Sequence, residues 1–529
     1  MTNRHSAGYR ASNFALLFLV LASFLGACGG SSGSSQNNGN PAPFDTAKGE
    51  GKLLSAEVVV TYPTGPATVA SADGEAPMDL QSFYVQTICP SSINPADCTH
   101  NQASLNTPIF GNFDLSRNPI ANNPLGITAV DAVKITYGAI NVGGAPVTVS
   151  GGIAIPNAAP ESIKGIILFF HGTTTQRTNV PSNFITPDNS GGDPSGATLA
   201  AVWASQGYVV VMPDYIGLGD DTADPHPYVI YPQENAQSGL AMVLASRTFL
   251  EERVKKHVPL FVTGYSEGGG YALEAGRLMQ ENPRYAKALK VSLTDVVPIS
   301  GAYDLTGTML PYLFFNISDE SNPWFSFNPG ISALSKPFLS ADLALSFSHY
   351  QNVAATEVMV QPFYDCAGQV KPMCGSSGTL DGLYYESGLP DITVLLATVA
   401  QASQTSWTPD DNNSIQPLLT SAYAQALMNG DPNNPLYARL LAADTYQFIP
   451  AFRLAMVSLS EDSVVTPVNT HVAFSFFTTQ NPAGPYQEFL VSNGDFIVPS
   501  IFGGTDFVDH LGELPFLAVL ALNQFNLSR

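Results

Sequence analysis

The stretch of sequence that decides the fold is PLFVTGYSEGGGYAL, residues 259–273. Residues 259–263 form a short apolar run, which predicts a buried strand, and residues 269–273 begin a predicted helix. Between them, GYSEG at 264–268 matches the pattern GxSxG. In that pattern a serine stands on a sharp strand-to-helix turn, where flanking glycines let neighbouring backbones pass closely. Ser266 is therefore the candidate nucleophile.

A second match to the same pattern tests how specific it is. Residues 29–33 read GGSSG, but no strand precedes them and no helix follows them. The motif has meaning only in its strand-turn-helix context. The second match is therefore rejected, and Ser266 is retained.

A serine is a weak nucleophile without a base, so a histidine has to be found. The order expected with this motif is serine, acid, histidine. Only His349, His471 and His510 follow Ser266. His349 lies in a predicted insertion, and His471 leaves little sequence for an acid before it. His510 lies in a loop just before the last predicted helix, so it is the candidate base.

The acid that orients this base is expected just after the penultimate strand, in the segment SEDSVVTP at 460–467. Asp462 is the first choice and Glu461 the second. Asp506 and Asp509 flank His510, but carboxylates so close in sequence are more typical of turns and helix caps.

An oxyanion hole takes one N–H from the residue after the nucleophile and one from a loop after an earlier strand. The first donor would be Glu267, whose side chain is interpreted as a pocket or helix-start group. The second would be Thr173 or Thr174, which follow the apolar run GIILFF at 165–170. Loop-shaping roles are predicted for His171, Gly172, Gly264 and Gly268.

Strand and helix patterns alternate around this site. Strands are predicted at 130–140, 147–155, 165–170, 208–212, 260–263, 291–299 and 452–459, and helices at 195–206, 233–254, 269–280, 469–477 and 514–525. Such alternation predicts a mostly parallel sheet with helices on both faces. We assign the core to 129–305 and 446–529, an inserted helical cap or lid to 306–445, and a β-rich N-terminal extension to 51–128.

The N-terminus resembles a secretory signal. Arg4 and Arg10 precede an apolar run, and the segment ends in LGAC at 25–28, which resembles a bacterial lipobox. We expect residues 1–27 to be a lipoprotein signal peptide, Cys28 to be acylated, and 28–50 to be a flexible tether. The protein would then be exported and held at a bacterial membrane, most simply the outer membrane or cell surface. The alternative is an ordinary signal peptide with a chance cysteine.

The remaining cysteines form two local pairs, Cys89 with Cys98 and Cys366 with Cys374. In an exported protein, two local disulfides are the simplest of the three possible connectivities. Because the spacings are not CxxC and no histidine lies close to the second pair, a metal site is disfavoured.

Composition excludes some classes of function. Of 529 residues, 45% are hydrophobic and only 12% charged, with 21 Lys+Arg against 43 Asp+Glu. A large core is possible and global disorder is excluded. The net charge of −22 argues against nucleic-acid binding, which needs cations.

From about residue 130 onward the chain resembles the α/β-hydrolase superfamily, and in particular bacterial lipase- and esterase-like members related to the secretory lipases. The resemblance is carried by HG at 171–172, PDYIGLG at 213–219, HPY at 226–228, GYSEGG at 264–269, Asp462 and His510. It implies the α/β-hydrolase fold and a serine hydrolase without metal or cofactor. Such an enzyme cleaves small-molecule or lipid esters through an acyl-enzyme on Ser266.

Two alternatives stay open. One is a serine peptidase of the same superfamily, aminopeptidase-like, that uses cap carboxylates to hold a substrate amine. The other is a non-catalytic, lipid-anchored binding protein that keeps the fold. The apolar stretch 310–345, with Tyr312, Trp324 and Phe325, could line an acyl pocket or lid, although a core for the cap itself is the preferred interpretation.

Overall fold

The structure is a computed structural model that describes residues 42–66, 78–174, 176–186, 192–223, 225–315, 317, 319–358, 419–500 and 503–529. The predictions for residues 1–27, Cys28, Cys366 and Cys374 concern segments outside these residues. Within the described residues, no helix combines the length and the apolar character needed to cross a membrane.

A nine-stranded sheet carries the site, with the strand order β1-β2-β3-β5-β4-β6-β7-β8-β9. The strands are β1 Leu53–Pro63, β2 Ala129–Ile140, β3 Pro146–Pro156, β4 Gly165–Phe170, β5 Tyr208–Pro213, β6 Val258–Tyr265, β7 Val291–Ile299, β8 Arg453–Leu459 and β9 Tyr486–Val491. A separate hairpin pairs β10 Ile497–Pro499 with β11 Thr505–Phe507.

Three neighbouring pairs are antiparallel, namely β1 with β2, β2 with β3, and β3 with β5. The pairs from β5 through β4 and on to β9 are all parallel. Strands β4 and β5 are buried along their whole length, as their continuous apolar runs require. The carboxyl ends of parallel strands meet at one edge of a sheet, which brings the loops after β4, β6 and β8 together. The prediction of a mostly parallel sheet is confirmed.

Helices cover both faces of this sheet. The helices in the described part of the chain are α1 Leu80–Ile88, α2 Pro95–Leu105, α3 Pro194–Val202, α4 Pro232–Phe249, α5 Glu267–Glu281, α6 Arg284–Leu289, α7 Leu310–Phe314, α8 Pro329–Tyr350, α9 Ala355–Val358, α10 Ser421–Met428, α11 Pro435–Leu441, α12 Pro467–Gln480 and α13 Leu514–Leu527. One face packs against α4, α5 and α12, and the other against α1, α3 and α13.

The predicted insertion between β7 and β8 is helical where it is described, in α7 to α11. Its apolar residues form a third hydrophobic cluster, in which Tyr312 and Phe347 are fully buried. This cluster also includes Val464 and Val465, which follow β8. The cap is therefore packed onto the loops at the carboxyl edge of the sheet.

Two expectations about the N-terminal segments were wrong. Residues 51–128 are not β-rich: the described part holds one strand, β1, which extends the core sheet, and then α1 and α2. Asp79 and Asn94 cap those helices, so their polar side chains start helices in a segment that was expected to be β-rich. The tether cannot reach residue 50, because Phe44 and Glu50 are buried.

Two smaller differences concern helix ends. The helix predicted over 233–254 ends at Phe249, because the chain reverses and the Arg247 guanidinium donates to the carbonyls of Lys255 and Lys256. The helix predicted over 195–206 ends at Val202 and continues as a short 3-10 turn. The disulfide predicted between Cys89 and Cys98 is present.

Candidate active site

Ser266 occupies the turn between β6 and α5 with φ +56°, a backbone conformation that is rare for a residue with a side chain. Its N–H donates to the carbonyl of Ile299 on the neighbouring strand at 2.9 Å. A Cβ at Gly264 would collide with the carbonyl oxygen of Gly268, and a Cβ at Gly268 would collide with that of Phe170. Both glycines of the motif are therefore required by close backbone approach.

His510 and Asp462 complete a hydrogen-bonded chain with Ser266. Nε2 of His510 lies 2.8 Å from Oγ of Ser266, and Nδ1 lies 2.7 Å from Oδ2 of Asp462. The other Asp462 oxygen accepts the N–H groups of Val464 and Val465, each at 2.8 Å. The structure thus brings together three residues that lie far apart in the sequence.

The other acids near His510 have different positions. Glu461 is exposed, and its N–H donates to Asn493. Asp509 caps the short 3-10 helix that begins at His510, and it also accepts the N–H of Ser463. Asp506 is exposed and accepts the N–H of Phe507. Of the four acids considered from the sequence, Asp462 is the one that contacts the imidazole.

The two alternative histidines are remote from this chain of contacts. His349 is exposed on cap helix α8, and His471 is exposed on α12, where it faces Glu488. The ring of His510, by contrast, is buried and stacks on Tyr265, with 5.0 Å between ring centroids. The Tyr265 hydroxyl donates to the backbone carbonyl of His510, which fixes the base against the end of β6.

The predicted oxyanion donors lie at the ends of β4 and β6. Glu267 is the first residue of α5, so its N–H is one of those that a helix start leaves without an intrahelical acceptor. Thr173 lines the same cleft as Ser266 and Glu267, whereas the Thr174 hydroxyl is hydrogen-bonded with the backbone of Gln176. The position of Thr173 makes it the better second candidate.

His171 and Gly172 shape the loop that carries Thr173. The His171 ring stacks on Tyr215 at 4.0 Å between centroids, and the Tyr215 hydroxyl donates to the His171 carbonyl. A Cβ at Gly172 would lie 3.0 Å from the Tyr265 ring and 3.4 Å from Cβ of Ser266. The loop therefore passes directly beside the nucleophile. Asp214, buried below, accepts hydrogen bonds from Ser150 and from the Ser182 N–H.

A narrow cleft opens over Ser266, and its accessible surface is almost entirely apolar. The cap supplies much of its wall, through Met309, Leu310, Leu313, Leu339, Leu343 and Leu440. Within the apolar stretch 310–345, Tyr312 packs in the core of the cap, whereas Leu310 and Leu343 line the cleft.

A buried polar cluster under the cleft was not predicted from the sequence. Oε1 of Glu267 accepts from the Tyr271 hydroxyl and lies 2.6 Å from Nε2 of His226. Burial opposes the charged imidazole, but the Glu267 carboxylate outweighs it, so the pKa of His226 is raised. Asp342 on α8 is also buried, and burial raises its pKa well above the ordinary value. The HPY motif marked His226, but nothing local indicated its partners.

Glu513 is a second acid at the base that sequence reasoning missed. It is fully buried, and its Oε1 lies 3.3 Å from Nδ1 of His510. Together with Asp462 and His510 it forms a group whose potential metal-ligand atoms lie within 4.8 Å of one another. Both ring nitrogens of His510 are already engaged, by Asp462 and Ser266. This arrangement fits proton transfer better than metal coordination.

No protein-family model matches the chain, and no curated protein sequence matches it significantly. Solved structures do match. The rice cell wall degrading esterase LipA from Xanthomonas oryzae is 20% identical, with a TM-score of 0.60 over 91% of this chain and 100% of that chain. A putative hydrolase from Legionella pneumophila is 19% identical, with a TM-score of 0.60 over 90% and 98% of the two chains.

The fold is that of an α/β-hydrolase. The likeness to LipA extends over 91% of this chain. The fold expected from the sequence is therefore confirmed.

Proposed function

We propose that this protein is a serine hydrolase that cleaves carboxylic esters, as an esterase or lipase. The observation that carries the proposal is the unbroken contact chain from Ser266 Oγ through His510 to Asp462, at 2.8 and 2.7 Å, beneath an apolar cleft. The likeness to an esterase, LipA, is in fold alone and is consistent with it.

The mechanism follows from these positions. His510 accepts the Ser266 proton at Nε2 as Oγ attacks the ester carbonyl, and Asp462 stabilises the imidazolium that forms. The N–H groups of Glu267 and Thr173 would stabilise the oxyanion. The imidazolium then protonates the leaving alcohol, which leaves an acyl group on Ser266. Water, activated by His510, releases the acid and restores the serine.

The cleft favours esters over the peptidase alternative. Its wall is built from cap leucines, which suit an apolar acyl chain. The carboxylate among its lining residues, Glu267, is already engaged by His226 and Tyr271. The cap carboxylate Asp342 is buried and does not line the cleft. A substrate amine would therefore find, among the described lining residues, only the buried Oε2 of Glu267 as a carboxylate acceptor.

The test compares substrates on one preparation. The full chain should hydrolyse p-nitrophenyl esters, and aminoacyl anilides should be poor substrates in the same assay. Faster cleavage of anilides would replace the esterase by the peptidase. No turnover of either class, together with no labelling by a fluorophosphonate, would favour the non-catalytic binding protein.

We also propose that the protein is an exported lipoprotein, anchored to a bacterial membrane through Cys28. The support is the lipobox-like LGAC at 25–28 after an apolar run. Cys28→Ala should move the protein from the membrane fraction to the soluble exported fraction, whereas Cys89→Ala should not. Unchanged fractionation of Cys28→Ala would contradict the anchor.

A further inference from the structure

Two carboxyl groups face one nitrogen of the candidate base. Oδ2 of Asp462 lies 2.7 Å from Nδ1 of His510, and Oε1 of Glu513 lies 3.3 Å from the same atom. The side chains of both acids are fully buried. Nδ1 of His510 carries a single hydrogen, and one carboxylate is enough to accept it. The second carboxyl group therefore requires an explanation.

The local backbone explains how Glu513 reaches this position. His510–Gly512 is a 3-10 helix, in which side chains three residues apart lie on the same side. The N–H of Glu513 points back to the His510 carbonyl at 3.4 Å, and α13 begins at the next residue. The backbone thus places the Glu513 side chain beneath the imidazole, while Asp462 approaches from the loop after β8.

The surroundings of Glu513 leave it few other partners. Among the described residues, neither carboxyl oxygen has a well-directed hydrogen bond, and the Ser300 hydroxyl lies beside the group. The titratable groups that face it are His510, Asp462, Tyr265 and Tyr303, and Asp509 lies beyond Asp462. The imidazole is the group in this set that can carry a positive charge.

We propose that Glu513 is a second acidic positioning residue for His510, one that stabilises the imidazolium beside Asp462 and can replace Asp462 when that acid is lost. The inference rests on the proposed serine-hydrolase function. In the reaction the proton from Ser266 resides on Nε2, while Nδ1–H stays bonded to Asp462. The Glu513 carboxylate adds a second negative charge next to the ring at that moment.

The charges predict how the base titrates. Burial raises the pKa of Glu513, although the neighbouring His510 opposes this. Burial alone would lower the pKa of His510, but Asp462, and with it Glu513, outweighs that effect. Removing the Glu513 charge should therefore lower the pKa of His510, by about one unit for a carboxylate at this distance. Because His510 and Glu513 interact closely, each of the two observed protonation steps is a property of the pair and not of one residue.

The experiment is a double-mutant cycle with Asp462→Asn, Glu513→Gln and the double variant, each measured as kcat/KM against pH. Glu513→Gln should move the acidic limb down by about one pH unit and lower the plateau about tenfold. Asp462→Asn should lose roughly 10²-fold, less than the ~10⁴ typical when an orienting acid becomes an amide. The double variant, which has neither carboxylate, should lose about 10⁴-fold in kcat/KM. Glu461→Gln, an exposed acid nearby, is the matched control and should change nothing.

A readout that does not need activity separates this inference from the proposed function. NMR of histidine-labelled protein follows the His510 ring through its titration in wild type and in Glu513→Gln. An unchanged His510 titration, or strictly additive losses in the cycle, would overturn the role of Glu513 even if esters are cleaved. A shifted titration without any ester hydrolysis would support the contact and overturn the proposed function. If Glu513→Gln does not fold, Glu513→Asp, which retracts the carboxyl group, should give a smaller shift in the same direction, and no shift would refute it.

Discussion

Nδ1 of His510 and Oδ2 of Asp462 lie 2.7 Å apart, although 48 residues separate them in the chain. Asp462 is held by two N–H groups of the loop after β8, and His510 is held by the Tyr265 hydroxyl at the end of β6. Each partner is therefore held by contacts outside the pair as well as by the other. Such preorganisation is what general-base catalysis at a serine requires.

Gly264→Ala should damage the nucleophile turn. The new Cβ would collide with the Gly268 carbonyl and lie 3.0 Å from Cβ of Phe170, so the turn must shift. Overpacking of this kind typically costs about 1–3 kcal/mol, and the displaced Ser266 should lose most of its activity. Thermal unfolding and fluorophosphonate labelling measure the two effects. Gly143→Ala, where the nearest atom would be 3.5 Å away, should retain wild-type stability and labelling. Equal behaviour of the two variants would contradict the role assigned to Gly264.

Leu343→Trp should shorten the acyl chains that the protein accepts. Leu343 lies on cap helix α8 and lines the cleft over Ser266, so a larger ring there would fill space otherwise open to substrate. Each methylene that can no longer be buried costs about 0.8 kcal/mol. A series of p-nitrophenyl esters should show a selective loss of kcat/KM for long chains, with short chains little affected. Leu490→Trp, at a position 50% exposed on β9, is the control. A uniform loss at all chain lengths would contradict this use of the cleft.

Asp342→Asn should stabilise the protein increasingly as the pH rises. Burial raises the pKa of Asp342 well above its ordinary value of 3.8, so the folded chain holds a proton that the unfolded chain releases. Between those two pKa values, folding of the wild type becomes less favourable with pH, by up to about 1.4 kcal/mol per unit. The asparagine of the variant does not titrate, so the variant lacks this contribution to the pH dependence of folding. Urea unfolding at about pH 4 and about pH 7 should show a gap in favour of the variant that widens with pH. Glu320→Gln, at an exposed cap acid, should show no widening, and a constant gap for Asp342→Asn would disprove the buried-proton account.

Much of the fold could be predicted because its signals are local. The short apolar runs at 165–170 and 208–212 indicate buried strands. GYSEG marks the turn between one strand and one helix. His510 and Asp462 followed from chain order, since Asp462 lies in the loop after a predicted strand and His510 in the loop before the last predicted helix.

The rest depended on contacts that no local pattern contains. Glu267 meets His226 across 41 residues, and Asp342 approaches them from the cap. The error over 51–128 had a different cause. Asn94 followed by Pro95 is a helix-start signal, but the segment was assigned as β-rich. Glu513 was overlooked although its spacing of three residues from His510 places both on one side of a 3-10 turn.

Labelling and ester turnover of Ser266→Ala test the central claim most directly. The full chain, Ser266→Ala and Ser31→Ala are each treated with a fluorophosphonate and assayed on a p-nitrophenyl ester; Ser31 belongs to the second GxSxG match and serves as the control. The account predicts that wild type and Ser31→Ala are labelled and active, and that Ser266→Ala loses the label and about 10⁵–10⁶-fold in kcat. Labelling and turnover that survive in Ser266→Ala would contradict it.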